Sequence, residues 1–175
     1  YAHYWLHGAF VNIEGGKMGK SDNNFLRLQT LIDAGISPLA YRLWLLGARY
    51  SSPMNYSDEA MTGAENSYKK LMGKFLELGE KTGGVLPEQR KKFNEYINDD
   101  LDTPKALALF YEVLNDEDYA AEDRRATLLD FDRVLGLNLA FLLPVQIPGA
   151  VWDLVEQRSL ARAANDWTRA DELRN

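Results

Sequence analysis

The feature that most constrains this chain is an apolar period that only a helix can use. After Ser57, Asp58 and Glu59, the residues Tyr68, Leu71, Met72, Phe75 and Leu78 recur at spacings of three and four. On a helix that spacing makes one stripe, whereas on a strand it would divide the same side chains between two faces. Ser57 is a good N-cap, the two acids suit the positive end of the helix dipole, and the Gly83-Gly84 pair is read as the stop. One striped helix cannot bury its own stripe, so further helices must cover it. The pattern supplies them at 87–98, at 104–115 opened by Thr103-Pro104, at about 119–135 stopped by Gly136, and at 148–164 after LNLAFLLPVQIPG, with WTRADELRN as a last helical run. Upstream, Leu28, Leu31 and Ile32 form a short helix ending at Gly35, and Ser37-Pro38 has the form of an N-cap and first helical residue for the next. The expected fold is mainly α, a helical bundle.

The N-terminal end breaks this pattern. Phe10–Ile13 is a short β-rich run, EGG supplies turn residues, and KMGK can return as a second strand, giving a small β-hairpin. SSPMNYSDE is a polar break, and the domain boundary is placed there, dividing the chain into 1–56 and 57–175. Within GGKMGKSDNNF, Lys17 and Lys20 lie three apart, with Ser21 following. Two flexible ammonium groups beside glycines and a hydroxyl make an adjustable polyphosphate clamp. Taken by itself the string also fits a solvated hairpin, and it is not a Walker loop, because GxxxxGK[ST] is absent.

Composition narrows the classes. The 175 residues are 46% hydrophobic, enough for a sizeable core in one or two small domains. With no Cys, a disulfide framework and a thiolate metal site are excluded, and the only imidazoles are His3 and His7. No apolar run approaches the roughly 20 residues of a membrane helix, and no signal-peptide pattern opens the chain, so a cytoplasmic location is expected. The chain starts at Tyr1 and stops in a helical pattern, and is expected to be a piece of a longer protein. Residues 1–56 carry five Lys/Arg against three Asp/Glu; residues 57–175 carry fifteen against twenty-three.

Several motifs in order carry a resemblance. KMGKS (Lys17–Ser21) resembles the KMSKS signature of class I aminoacyl-tRNA synthetases, and WLHGAFVNIEGGKMGKSDNNF is similar to the stretch around it in cysteinyl-tRNA synthetases. SPLAYRLWLLGARYSSPMNYSDE, NDDLDTPKALALFYEV and RSLARAANDWTRADELRN resemble later segments of the same family, so the likeness runs from Trp5 to Arg174. Two positions depart from the family pattern. Gly19 stands where Ser is usual, and His7-Gly8-Ala9-Phe10 replaces His-Asn-Gly-Phe, so no role of that Asn carries over.

The resemblance implies the end of a class I catalytic domain, with its ATP loop in 1–56, followed by a DALR-type helical tRNA-binding bundle in 57–175. It implies cysteine activation by ATP with Mg²⁺ and transfer to tRNA(Cys) by a monomeric ligase, with Lys20 on the leaving pyrophosphate, Lys17 positioning the loop and Ser21 assisting. The family's HIGH-type motif and zinc site lie upstream, so Zn²⁺ is expected only there, and this chain alone is expected to be inactive. Two alternatives stay open: a mycothiol-pathway cysteine ligase with the same loop, and a stand-alone helical RNA-binding or interaction module.

Other residues divide between chemistry and packing. His3 and His7 lack Cys or acidic partners nearby and are read as packing or hydrogen-bonding groups, so no metal site is assigned. Asp99, Asp100 and Asp102 precede a helix start, where the dipole favours acids. Lys70, Lys74 and Lys81 are placed on one face of the long helix, with Arg90, Lys91 and Lys92 close by in sequence; the set either follows RNA phosphates or is a solvated face.

Overall fold

In the computed structural model, which describes residues 2–13, 16–17, 27–142 and 149–173, the chain forms two compact units, Tyr1–Leu142 and Leu143–Asn175. This division by compactness is separate from the expected division by role at 56/57. In the first unit the hairpin is present as β1 (Val11–Ile13) and β2 (Gly16–Lys17), paired antiparallel. A third strand, β3 (Met54–Tyr56), adds parallel to the other edge of β1 and gives the order β2-β1-β3. That strand lies in the segment read as a polar break, because three residues after Pro53 carry too little period to stand out and their pairing is set by a partner more than forty residues away.

The helices follow the apolar spacing closely. α1 (Leu28–Asp33) ends just before Gly35, whose φ of 79° takes the left-handed turn. α2 (Pro38–Leu46) is capped by the Ser37 side chain, which accepts from the Leu39 N–H at 3.2 Å. α3 (Asp58–Glu77) is capped by Ser57, which accepts from Ala60 at 3.1 Å, and it buries Met61, Ala64, Tyr68, Leu71 and Phe75. It stops earlier than the glycine pair suggests: Gly79, at φ 80°, turns the chain, and Lys81 therefore lies in the linker beyond the helix. The Gly83-Gly84 pair has another task. Gly83 donates to the Glu122 carbonyl at 2.9 Å and Gly84 to the Asp123 carboxylate at 2.8 Å, so the linker docks on the start of a later helix.

α4 (Pro87–Asn98), α5 (Thr103–Asn115) and α6 (Ala121–Leu135) complete the bundle. The N-cap of α5 is Asp102, one residue before the expected Thr103: the Asp102 carboxylate accepts from the Lys105 N–H at 3.2 Å, while the Thr103 hydroxyl donates to the Ala48 carbonyl. The core joins Leu43 of α2, Tyr68, Leu71 and Phe75 of α3, Phe93 of α4, Phe110 of α5 and Phe131 of α6. Phe93 and Phe131 stack with centroids 4.1 Å apart. The second unit consists of α7 (Gly149–Ala163) and α8 (Trp167–Glu172), packed on each other, with Asp166 capping α8 through the Arg169 N–H at 3.0 Å. Among the described residues no helix is long and apolar enough to cross a membrane.

Candidate nucleotide hairpin and nucleic-acid face

The hairpin is built into the first unit by backbone hydrogen bonds. Asn12 lies opposite Lys17 and Ile13 opposite Gly16 across β1 and β2, while Asn12 Nδ2 donates to Asn55 Oδ1 on β3 at 3.3 Å. The lead-in is also tied: the Ala9 N–H donates to the Tyr50 carbonyl at 2.7 Å, and the Met54 N–H donates to the Phe10 carbonyl at 3.1 Å. Lys17 thus ends an edge strand whose neighbour is anchored on its far side. Lys20 and Ser21 lie outside the described residues. Next to the lead-in, Phe10, Val11, Leu45, Leu46, Met54 and Leu101 line a cleft of about 360 Å³.

The segment between α2 and β3 meets the α4–α5 turn through polar contacts. The Arg49 guanidinium donates to the Asp102 carboxylate, Lys105 Nζ lies 2.9 Å from the same oxygen, and Tyr50 OH donates to Asp100 at 2.7 Å. The hydrogen bond from Lys105, with the charges of Lys105 and Arg49, holds the Asp102 carboxyl below the usual carboxylate range, and Asp102 in turn raises the Lys105 ammonium above its ordinary value. The acids before α5 are therefore bound in a structural network. Sequence inspection found Asp102 as a helix-start acid, but not its pairing with Arg49, which is 53 residues away.

The basic residues named as RNA contacts do not share one face. Lys74 donates to Asn115 and Lys92 lies 3.6 Å from Glu112, so α3 and α4 send one cation each to the same end of α5. Arg90 turns instead to Asp130 of α6 at 3.1 Å. Three consecutive helical residues point about 100° apart, so Arg90, Lys91 and Lys92 cannot form one stripe. Lys70, Lys81 and Lys91 make no ion pair with described residues and are exposed. His7 stacks on Trp5 with ring centroids 6.3 Å apart, and both histidines are exposed. No group of three His, Cys, Asp or Glu among the described residues is placed to hold a metal ion.

Residues 1–66, which contain the hairpin, β3 and the start of α3, match the family described as tRNA synthetases class I (C) catalytic domain. Cysteine–tRNA ligase 1 of Burkholderia lata is 37% identical over 177 residues, covering 99% of this chain and 37% of that protein. Over nearly its whole length the chain is similar to part of the cysteine–tRNA ligases. The cysteine–tRNA ligases of Novosphingobium aromaticivorans and Lactococcus lactis subsp. cremoris are 36% and 30% identical, covering 99% and 100% of the chain and 39% and 40% of those proteins. The chain thus spans about two fifths of the length of the relatives it matches. The family match ends within α3, so the helices beyond residue 66 are related through the whole-length relatives and not through the catalytic-domain family.

Proposed function

We propose that this chain supplies the ATP loop and the tRNA-contacting helices of a cysteine–tRNA ligase, which activates cysteine with ATP and transfers it to tRNA(Cys). The observation that carries the reading is that Lys17, the first residue of the KMGKS sequence, ends an edge strand on a hairpin tied to β3 and to the segment after α2. In the activation step the cysteine carboxylate attacks the α-phosphate of ATP, accompanied by Mg²⁺, and pyrophosphate leaves. Negative charge grows on the leaving group, so an ammonium aimed there acts mainly on the transition state. Lys20 takes that role, Lys17 positions the loop from β2, and Ser21 donates to phosphate oxygen.

Residues 1–56 form the catalytic end and 57–175 the tRNA-contacting bundle in this division of roles. The protein acts as a cytoplasmic monomer. A zinc ion does not fit this chain, which contains no Cys and no suitable described cluster; Zn²⁺ is assigned to the remainder of the ligase, and the chain alone carries no aminoacylation activity. Exposed Lys70, Lys81 and Lys91 are the available phosphate partners, whereas Arg90 and Lys92 must first give up an acid.

The decisive experiment is Lys20→Ala in the full-length ligase. Cysteine-dependent ATP–pyrophosphate exchange is expected to fall by roughly 10² to 10³, the scale for losing one preorganised donor to a transition state, with a smaller effect on cysteine affinity. An unchanged exchange rate refutes the loop assignment.

A further inference from the structure

The three residues Ala48–Tyr50 are held from two sides. From the bundle, Asp102 accepts from the Arg49 guanidinium, Thr103 Oγ1 donates to the Ala48 carbonyl at 3.3 Å, and Asp100 accepts from Tyr50 OH at 2.7 Å. From the hairpin, the Ala9 N–H donates to the Tyr50 carbonyl at 2.7 Å, two residues before β1. The α4–α5 turn adopts a disfavoured shape to make this possible: Asp100 and Leu101 both have φ of 53°, a left-handed conformation rare for residues other than Gly. Backbone held in such a conformation persists only where its surroundings over-determine it. Here those surroundings include Arg49 and Tyr50.

The two oxygens of Asp102 divide the work. Oδ1 accepts from the Lys105 backbone N–H and caps α5, while Oδ2 takes the Arg49 guanidinium and the Lys105 ammonium at 2.9 Å. The cap alone needs only the first oxygen. The second joins the bundle to a segment that otherwise belongs to the hairpin, and the Asp102 side chain is 2% exposed, so water does not screen the pair on that side.

We propose that Asp102 is a positioning residue for the activation step: through Arg49 it fixes Ala48–Tyr50, and through Tyr50 it sets the β1–β2 hairpin that leads into Lys20. The inference rests on the reading that this hairpin serves ATP. Asp102 touches no substrate; it acts by restricting where the hairpin can go.

The test uses the full-length ligase with Asp102→Asn, which keeps a cap oxygen and removes the charge, and with Arg49→Met, which leaves the cap untouched. Each is expected to lower kcat for cysteine-dependent pyrophosphate exchange about tenfold, a fraction of the roughly 10²-fold that a 1 Å misplacement can cost, with KM for tRNA unchanged. The double variant is expected to lose no more than either single one, because both remove the same link. Hydrogen exchange at residues 8–13 should accelerate in both variants while the amides of α5 keep their protection. Additive losses, or unaltered exchange at 8–13, overturn the proposal. Lys20→Ala measured alongside separates the two claims: if it lowers pyrophosphate exchange by the expected roughly 10² to 10³ while Asp102→Asn retains the wild-type rate, only the positioning role fails. If Lys20→Ala is itself without effect, the ATP reading fails and the positioning role falls with it.

Discussion

Asp132→Ala is the substitution whose cost the structure specifies most directly. Asp132 lies in the last turn of α6 and is 8% exposed. Its carboxylate accepts from the Leu137 N–H at 2.6 Å and from the Leu139 N–H at 2.8 Å, and both leucines are fully buried. Between them and the helix, Gly136 at φ 65° reverses the chain, and the Leu137 carbonyl receives the buried Tyr68 hydroxyl at 2.9 Å. Alanine leaves two buried amides without partners. A hydrogen bond to a charged group contributes about 1.5–3 kcal/mol, so losing two should cost about 3–6 kcal/mol. At about 2–4 °C per kcal/mol for a domain of this size, Tm should fall by about 10 °C. Asp132→Asn keeps one acceptor oxygen and should lose about half as much. Urea unfolding of the chain followed by far-UV circular dichroism measures both, and the m-value should be unchanged. A loss below about 1 kcal/mol for Asp132→Ala would refute the argument, because it would mean that the turn finds other acceptors at little cost.

Gly83→Ala should destabilise by about 1–3 kcal/mol through overpacking, since its Cβ would fall 2.1 Å from Asp123 Oδ1 and 3.1 Å from the backbone of Glu122 and Asp123. The carboxylate can swing aside but the backbone cannot, and a thermal shift under 1 °C would contradict this. The Asp102–Lys105 pair sets a pH window. Asp102, with its carboxyl lowered, adds stability above the unfolded value near pH 4 that is lost as pH falls; Lys105, raised, adds stability below about pH 10.4 that is lost as pH rises. Tm against pH should therefore drop less steeply below pH 4 in Asp102→Asn than in the wild type, and parallel curves would refute the assignment. For RNA, Lys70→Glu with Lys91→Glu should raise the KM for tRNA of the full-length ligase and leave pyrophosphate exchange untouched. The log-log salt slope should fall by about 0.7–0.9 per lost phosphate contact, and equal damage to both steps would indicate misfolding instead of lost RNA contact.

What the sequence alone determined is the helices and the first hairpin, not β3. The 3.6-residue period located the buried face of α3 at Tyr68, Leu71 and Phe75, Ser37 and Ser57 marked two helix starts, and Gly136 marked a helix end. Those signals are local: a cap or a left-handed stop needs only residues within a turn of itself. The roles proposed for the lysines of KMGKS rest on the same kind of local signal, spacing and residue type, and Lys20 lies outside the described residues. The tertiary structure decided the rest. β3 exists because β1 offers it an edge, Asp132 is buried because the chain folds back over α6, and Asp102 meets Arg49 only when α5 is brought against the end of α2. It also separated Arg90 from Lys92, neighbours in sequence, by giving them acids on different helices. A carboxylate in a sequence carries no sign of which distant donor will reach it. That is decided by which apolar faces pack together, since burying them brings the polar groups at their margins within reach and removes the water that would otherwise satisfy them.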